Sequence, residues 1–144
     1  MEIKFLGGAR EVGRSAILVS YRDTRLLLDY GVMLNDHPHF PLTVEPKKLN
    51  GILLTHSHLD HSGSIPLLYI SHRPKLYATS MTRQTTTLLV NDFLKVSGYY
   101  LPFERPEVEA MLRSCIEVNY REPFMIRDLA VSYTHLTLPT NREV

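Results

Sequence analysis

Three histidines and an aspartate, His56, His58, Asp60 and His61, fall within six residues of one another in Thr55-His56-Ser57-His58-Leu59-Asp60-His61. Imidazole nitrogens and carboxylate oxygens are the donors that zinc takes in catalytic sites. The spacing divides the set in two. Residues two apart in extended backbone point the same way, so His56 and His58 can address one metal together. A turn into a helix then carries Asp60 and His61 to the far side, facing a second metal. Two ions about 3.5 to 4 Å apart can hold a bridging hydroxide and clamp a scissile phosphate. A polar turn with solvated histidines is the plainer alternative. Four donors packed between an apolar strand and a helix argue against it.

The elements around this motif are legible from periodicity. Residues 2–6 alternate as a strand that Gly7-Gly8 breaks, and residues 15–21 and 25–29 flank the short polar turn Arg22-Asp23-Thr24 as a β-hairpin. Residues 31–48, rich in Pro, His and Asn, read as one long loop. Residues 51–55 form a short, continuously apolar strand of the buried kind, directly before the histidines. Residues 62–71 then read as a helix with Pro66 in its first turn, where proline is tolerated. Another strand is expected over 75–78. A helix over 80–97 has Leu88, Leu89, Phe93 and Val96 as its apolar positions and Gly98 as its stop. A second amphipathic helix is expected over 104–115, with Pro106 near its start and Glu107 and Glu109 facing the positive end of its dipole. Strand character returns over 116–120 and 124–131. The order suits a layered α/β domain on a largely antiparallel or mixed sheet.

The chain has 144 residues, enough for one domain with a core, and a net charge of +1, so any basic groove for nucleic acid must be local. Cys115 is the single cysteine, which excludes an internal disulfide and a Cys-rich zinc site, and it reads as a small buried hydrophobe. The N-terminus has no signal-peptide pattern and no apolar run reaches membrane-span length. A cytoplasmic location without membrane attachment is the expectation.

His-Ser-His-Leu-Asp-His resembles the HxHxDH signature of the metallo-β-lactamase superfamily. That resemblance implies that His56 and His58 ligate one zinc and Asp60 and His61 a second, with Asp60 also placed to orient the nucleophile. It further implies that Asp29, ending a strand as Leu-Leu-Leu-Asp, orients a ligand histidine by hydrogen bond. The implied fold is the N-terminal half of an αββα sandwich. The family's remaining ligands, a third histidine, a bridging aspartate and a final histidine, are expected beyond this chain. The segment Gly7-Gly8-Ala9-Arg10-Glu11-Val12-Gly13-Arg14-Ser15 resembles the opening motif of the β-CASP ribonuclease branch. His61-Ser62-Gly63-Ser64-Ile65-Pro66 is similar to that branch's continuation of the metal motif. The Val-Gly-Arg-Ser form looks closest to the nuclease subunit of the cleavage and polyadenylation machinery and its prokaryotic relatives.

The implied activity is zinc-dependent hydrolysis of RNA phosphodiesters. Single-stranded RNA is the expected partner, Arg10 and Arg14 are candidate phosphate contacts, and a homodimer or an RNA-processing complex is the expected assembly. Two other readings stand beside it: a thioester or lactone hydrolase on the same fold, and a non-catalytic scaffold subunit. His37 and His39 have ligand-like spacing but read as loop histidines, and His72 suits a helix C-terminus. Residues 131–144 form a separate case. The first ten of them match, residue for residue, the translation of a transposase adapter used in library preparation. Residues 1–130 are therefore expected to be a truncated metallo-β-lactamase domain, and His135 is left out of the ligand set.

Overall fold

Alternating residues build the first half of the sheet. A computed structural model describes residues 1–134. Strands β1 (Glu2–Gly7), β2 (Ala16–Tyr21) and β3 (Thr24–Leu28) are antiparallel neighbours. The β2–β3 turn is tighter than expected: Thr24 already pairs with Tyr21, and Arg22 takes a positive φ of 53°, a backbone twist that two-residue hairpin loops require. Two short strands follow, β4 (Met33–Leu34) and β5 (Pro38–His39), and then β6 (Gly51–Leu53) enters the sheet parallel to β3.

The chain next forms a single helical turn, α1 (Leu59–Ser62), and a 3-10 segment at Ile65–Tyr69. Strand β7 (Leu76–Thr79), helix α2 (Ser80–Ser97), helix α3 (Arg105–Arg113) and strand β8 (Cys115–Val118) follow, and the hairpin β9 (Phe124–Ile126) with β10 (Leu129–Val131) comes last. The main sheet has the order β1-β2-β3-β6-β7-β8, antiparallel on the β1 side and parallel from β3 onward. This is the α/β architecture with a mixed sheet that the sequence implied.

Both long helices start on their local signals. The Thr79 hydroxyl accepts from the Thr82 amide at 3.3 Å to cap α2. Glu104 and Glu107 form a reciprocal capping box at α3, with Pro106 in its first turn. One face of the sheet (Leu6, Ala16, Leu27, Ile52, Leu76, Ala78) packs on Ile65, Leu68 and Tyr69 of the 3-10 segment and on Ala110 and Met111 of α3. On the other face Leu26, Leu53 and Tyr77 meet Ile126 of β9 and Tyr133. That second layer stops short of β1, where Ile3 and Phe5 remain 56% and 58% exposed.

Three expectations need correction. Residues 31–48 are not a structureless loop: β4 and β5 pair as a hairpin, Met33 opposite His39 and Leu34 opposite Pro38. Residues 62–71 are not one helix. Gly63 packs against Val32, with space too small for a Cβ, and the chain restarts as a 3-10 segment at Ile65. In α2 the buried residues are Thr82, Thr86, Val90 and Phe93, whereas Leu88 and Val96 are exposed. The threonines sit inside because α2 presents them to the packed layer, and the Thr86 hydroxyl has no hydrogen-bond partner there.

Packing among the described residues continues past Ala130. Val131 pairs with Phe124, and buried Tyr133 donates its hydroxyl to the Tyr77 carbonyl at 2.8 Å. His135 lies outside the described residues. Among those residues no helix is long and apolar enough to cross a membrane.

Candidate metal centre

Strand β6 delivers the histidines. Its continuation is pinned by the Leu54 amide, which donates to Tyr77 O at 3.0 Å. Residues Thr55 to His58 then run free of the ladder until His58 starts α1 as its N-cap residue. The buried Ser62 hydroxyl ties the turn together, donating to Ser57 O at 2.9 Å with His58 O at 3.1 Å. The imidazole rings converge: His56 lies 4.9 Å from His58 and 4.1 Å from His61, centroid to centroid. Asp60 Oδ2 is 3.7 Å from His61 Nε2. The structure thus brings together all four residues singled out from the spacing.

Asp29 organises them. Its carboxylate is nearly buried, with 6% of the side chain exposed. Oδ1 accepts the Thr55 amide at 2.8 Å, and Oδ2 accepts the Thr55 hydroxyl at 2.8 Å and His61 Nδ1 at 2.7 Å. Proton accounting extends the network to His56. The Thr55 hydroxyl has one proton and gives it to Asp29, so at the 2.9 Å contact with His56 Nδ1 it must accept. Both His56 and His61 then carry their proton on Nδ1 and leave the Nε2 lone pair free, which is the form a metal needs. The sequence pointed to Asp29 but missed Thr55; its place between the buried strand and the first histidine is the signal that could have found it.

Backbone contacts hold this carboxylate under the motif. Asp29 sits at φ 59°, its amide donating to Leu53 O at 3.0 Å. The next three amides reach across the motif and its loop: Tyr30 to His61 O, Gly31 to Ser15 O and Val32 to Leu59 O. Gly31 is demanded by this approach, since a Cβ there would lie 1.7 Å from the Asp60 carbonyl oxygen. The Ser15 amide donates to that same Asp60 oxygen at 2.9 Å, so the Gly-rich segment also buttresses the motif.

The charges divide as the contacts suggest. The Asp29 hydrogen bond raises the His61 pKa, and burial lowers that of His56, with His61 acting in the same direction. Three imidazoles and a carboxylate, with two Nε2 lone pairs oriented, are a donor set that fits zinc. Their donor atoms do not gather tightly around a single point. Among the described residues the group with three donor atoms mutually within 4.8 Å is Asp36, His37 and His39.

Arg14 is committed to Glu11, Nε to Oε1 at 2.7 Å, and to the Phe40 carbonyl at 3.1 Å. Arg10 is exposed at φ 60°. Cys115 is half-buried, and burial pushes its thiol up to about 11, consistent with an inert packing group.

The chain belongs to the metallo-beta-lactamase superfamily, whose family model matches residues 9–108. It is 44% identical to RNase aCSPSF2 of Saccharolobus solfataricus over 133 residues, 90% of this chain and 27% of that protein. It is 35% identical to transcription termination factor FttA of Methanocaldococcus jannaschii over 129 residues, 83% of this chain and 20% of that protein. The chain therefore spans about a quarter of the length of these relatives. Among solved structures it resembles MEM-A1, a subclass B3 metallo-beta-lactamase from a soil metagenome library. The TM-score is 0.55 at 19% identity, covering 90% of this chain and 48% of that one. It also resembles Zn(2+)-bound PqqB from Methylobacterium extorquens, with TM-score 0.51 at 18% identity, covering 82% and 38%. At these identities the likeness speaks to the fold alone, of which the chain supplies part.

Proposed function

We propose that this chain is the metal-binding first half of the metallo-β-lactamase domain of a zinc-dependent ribonuclease of the β-CASP branch. His56 and His58 would hold one ion, and Asp60 and His61 the second. The observation that carries the reading is the Asp29–Thr55 network, which fixes two imidazoles in the tautomer a cation requires. Zinc, when bound, supplies a water nucleophile near neutral pH and compensates charge on a phosphate. The chain's own residues do the rest. Asp29 holds the His61 ring in place and Thr55 passes that constraint to His56. Asp60, 41% exposed at its side chain, is open to solvent and would orient the attacking water.

RNA as substrate is supported by the relatives, one named as an RNase and another as a transcription termination factor. Single-stranded RNA, a cytoplasmic location and an RNA-processing complex or homodimer follow as parts of the same proposal. Arg10 is the better candidate for an RNA phosphate, because Arg14 is already committed to Glu11. The further ligands are expected from parent sequence that follows residue 130; the adapter origin of residues 131–144 rests on their sequence match, whereas Val131 and Tyr133 pack on this fold. The test is cleavage of single-stranded RNA by the full-length parent, with and without zinc. His58→Ala combined with Asp60→Ala should abolish it. Activity surviving that pair, or surviving thorough chelation, refutes the assignment.

A further inference from the structure

The hairpin of β4 and β5 carries a second set of donors that shares no residue with the centre above. Asp36 Oδ1 lies 3.1 Å from His37 Nδ1 and 3.4 Å from His39 Nε2, and the two imidazole centroids are 4.4 Å apart. All three donor atoms lie within 4.8 Å of one another. With metal–ligand bonds of about 2.0 to 2.1 Å, neighbouring donors around an ion sit about 2.9 Å apart at right angles and about 3.3 Å apart at the tetrahedral angle. The two Asp36 distances therefore already approach the edges of a coordination polyhedron.

The backbone holds the set in place. Pro38 between the histidines is buried, and its ring locks φ. A residue before proline is also confined to extended conformations, which restricts His37. Alternation about the buried proline puts both imidazoles on the outer side. His39 is fixed in register opposite Met33, and a Cβ at Gly13 would lie 3.0 Å from the Met33 side chain. Arg14 bonds the carbonyl of Phe40, the residue after His39, so the Gly-rich loop supports the hairpin at its exit.

We propose that Asp36, His37 and His39 bind one divalent transition-metal ion such as zinc, cobalt or nickel. Two imidazoles and one carboxylate favour these ions over magnesium or calcium. Each imidazole must present a lone pair at the atom that now faces Asp36, so its proton moves to the other ring nitrogen. The three protein ligands leave coordination positions to water. The side chains are 78%, 51% and 36% exposed, so the site lies open to solvent.

Equilibrium dialysis of the full-length protein against buffered micromolar zinc tests this, with bound metal counted by mass spectrometry. His37→Gln with His39→Gln should lower the count by one zinc per chain. Asp36→Asn should weaken that same equivalent by about tenfold or more. His72→Gln, which removes a histidine outside the cluster, should leave the count unchanged. Circular dichroism establishes that each variant is folded. The site on the hairpin should also persist when His58→Ala and Asp60→Ala disable the other centre, so failure of one reading does not decide the other. A count unchanged by the His37 and His39 substitutions in folded protein overturns the proposal, as does an Asp36→Asn variant that binds as tightly as the parent.

Discussion

Replacing Asp29 with asparagine keeps its shape and removes its charge. In the parent the side chain accepts three hydrogen bonds, from the Thr55 amide, the Thr55 hydroxyl and His61 Nδ1. An asparagine can keep the amide acceptor at Oδ1, but its NH₂ group then faces the Thr55 and His61 donors. Two charge-assisted bonds are lost, each contributing about 1.5 to 3 kcal/mol, and rearrangement recovers part of that. The expected net cost to folding is about 2 to 4 kcal/mol. Zinc affinity should fall about 10- to 100-fold, because His61 loses its orientation and Thr55 no longer fixes His56. The assay pairs chemical denaturation with competitive zinc titration on full-length protein. Its particular signature is the His61 pKa, which should drop once the hydrogen bond that raises it is gone. A variant that binds zinc as the parent does, with the His61 pKa unmoved, would refute the relay.

Three other perturbations test neighbouring parts of the account. Gly31→Ala places a Cβ 1.7 Å from the Asp60 carbonyl oxygen and should destabilise the fold by more than about 3 kcal/mol. Gly98→Ala meets only Leu94 Cδ1 at 3.9 Å and should be close to neutral in the same melting experiment. In the apo protein the raised pKa of His61 gives stability that is fully present below the unfolded value near 6.5 and is lost as pH rises through the folded pKa. Zinc needs the neutral ring, so its apparent affinity should fall as pH drops through that raised value, which zinc titrations at stepped pH would read out. Tyr133→Phe removes the bond to Tyr77 O and should lower stability by about 1 kcal/mol in denaturant unfolding. No change would indicate that this hydrogen bond adds nothing to the fold of the 144-residue chain.

The histidine and aspartate motif was legible because its evidence is local: donors at short spacing, an apolar strand before them and a turn after. The sheet hairpin and the two long helices were legible for the same reason. The failures came where tertiary contacts decide. Strands of two residues have no periodicity, so the β4–β5 hairpin was invisible, and it is held by Gly13 and Arg14 from another loop. The α2 stripe was misread because hydropathy favours Leu88 and Val96, whereas packing selects Thr82 and Thr86. Gly31 read as the first residue of the long loop over 31–48. Its function is to admit the Asp60 carbonyl, a residue 29 positions later, and no pattern around it announces that. Thr55 was passed over because its hydroxyl acquires a role only when Asp29 arrives beneath it.

The measurement that bears most directly on the central claim compares substrates on one preparation of the zinc-loaded full-length protein. The specificity constant kcat/KM would be determined for a single-stranded RNA, for a thioester and for a lactone, in parallel with the His58→Ala, Asp60→Ala variant. The account predicts zinc-dependent RNA cleavage that the variant loses, with thioester and lactone turned over far more slowly. Faster turnover of either small ester, or RNA cleavage that the variant retains, would contradict it.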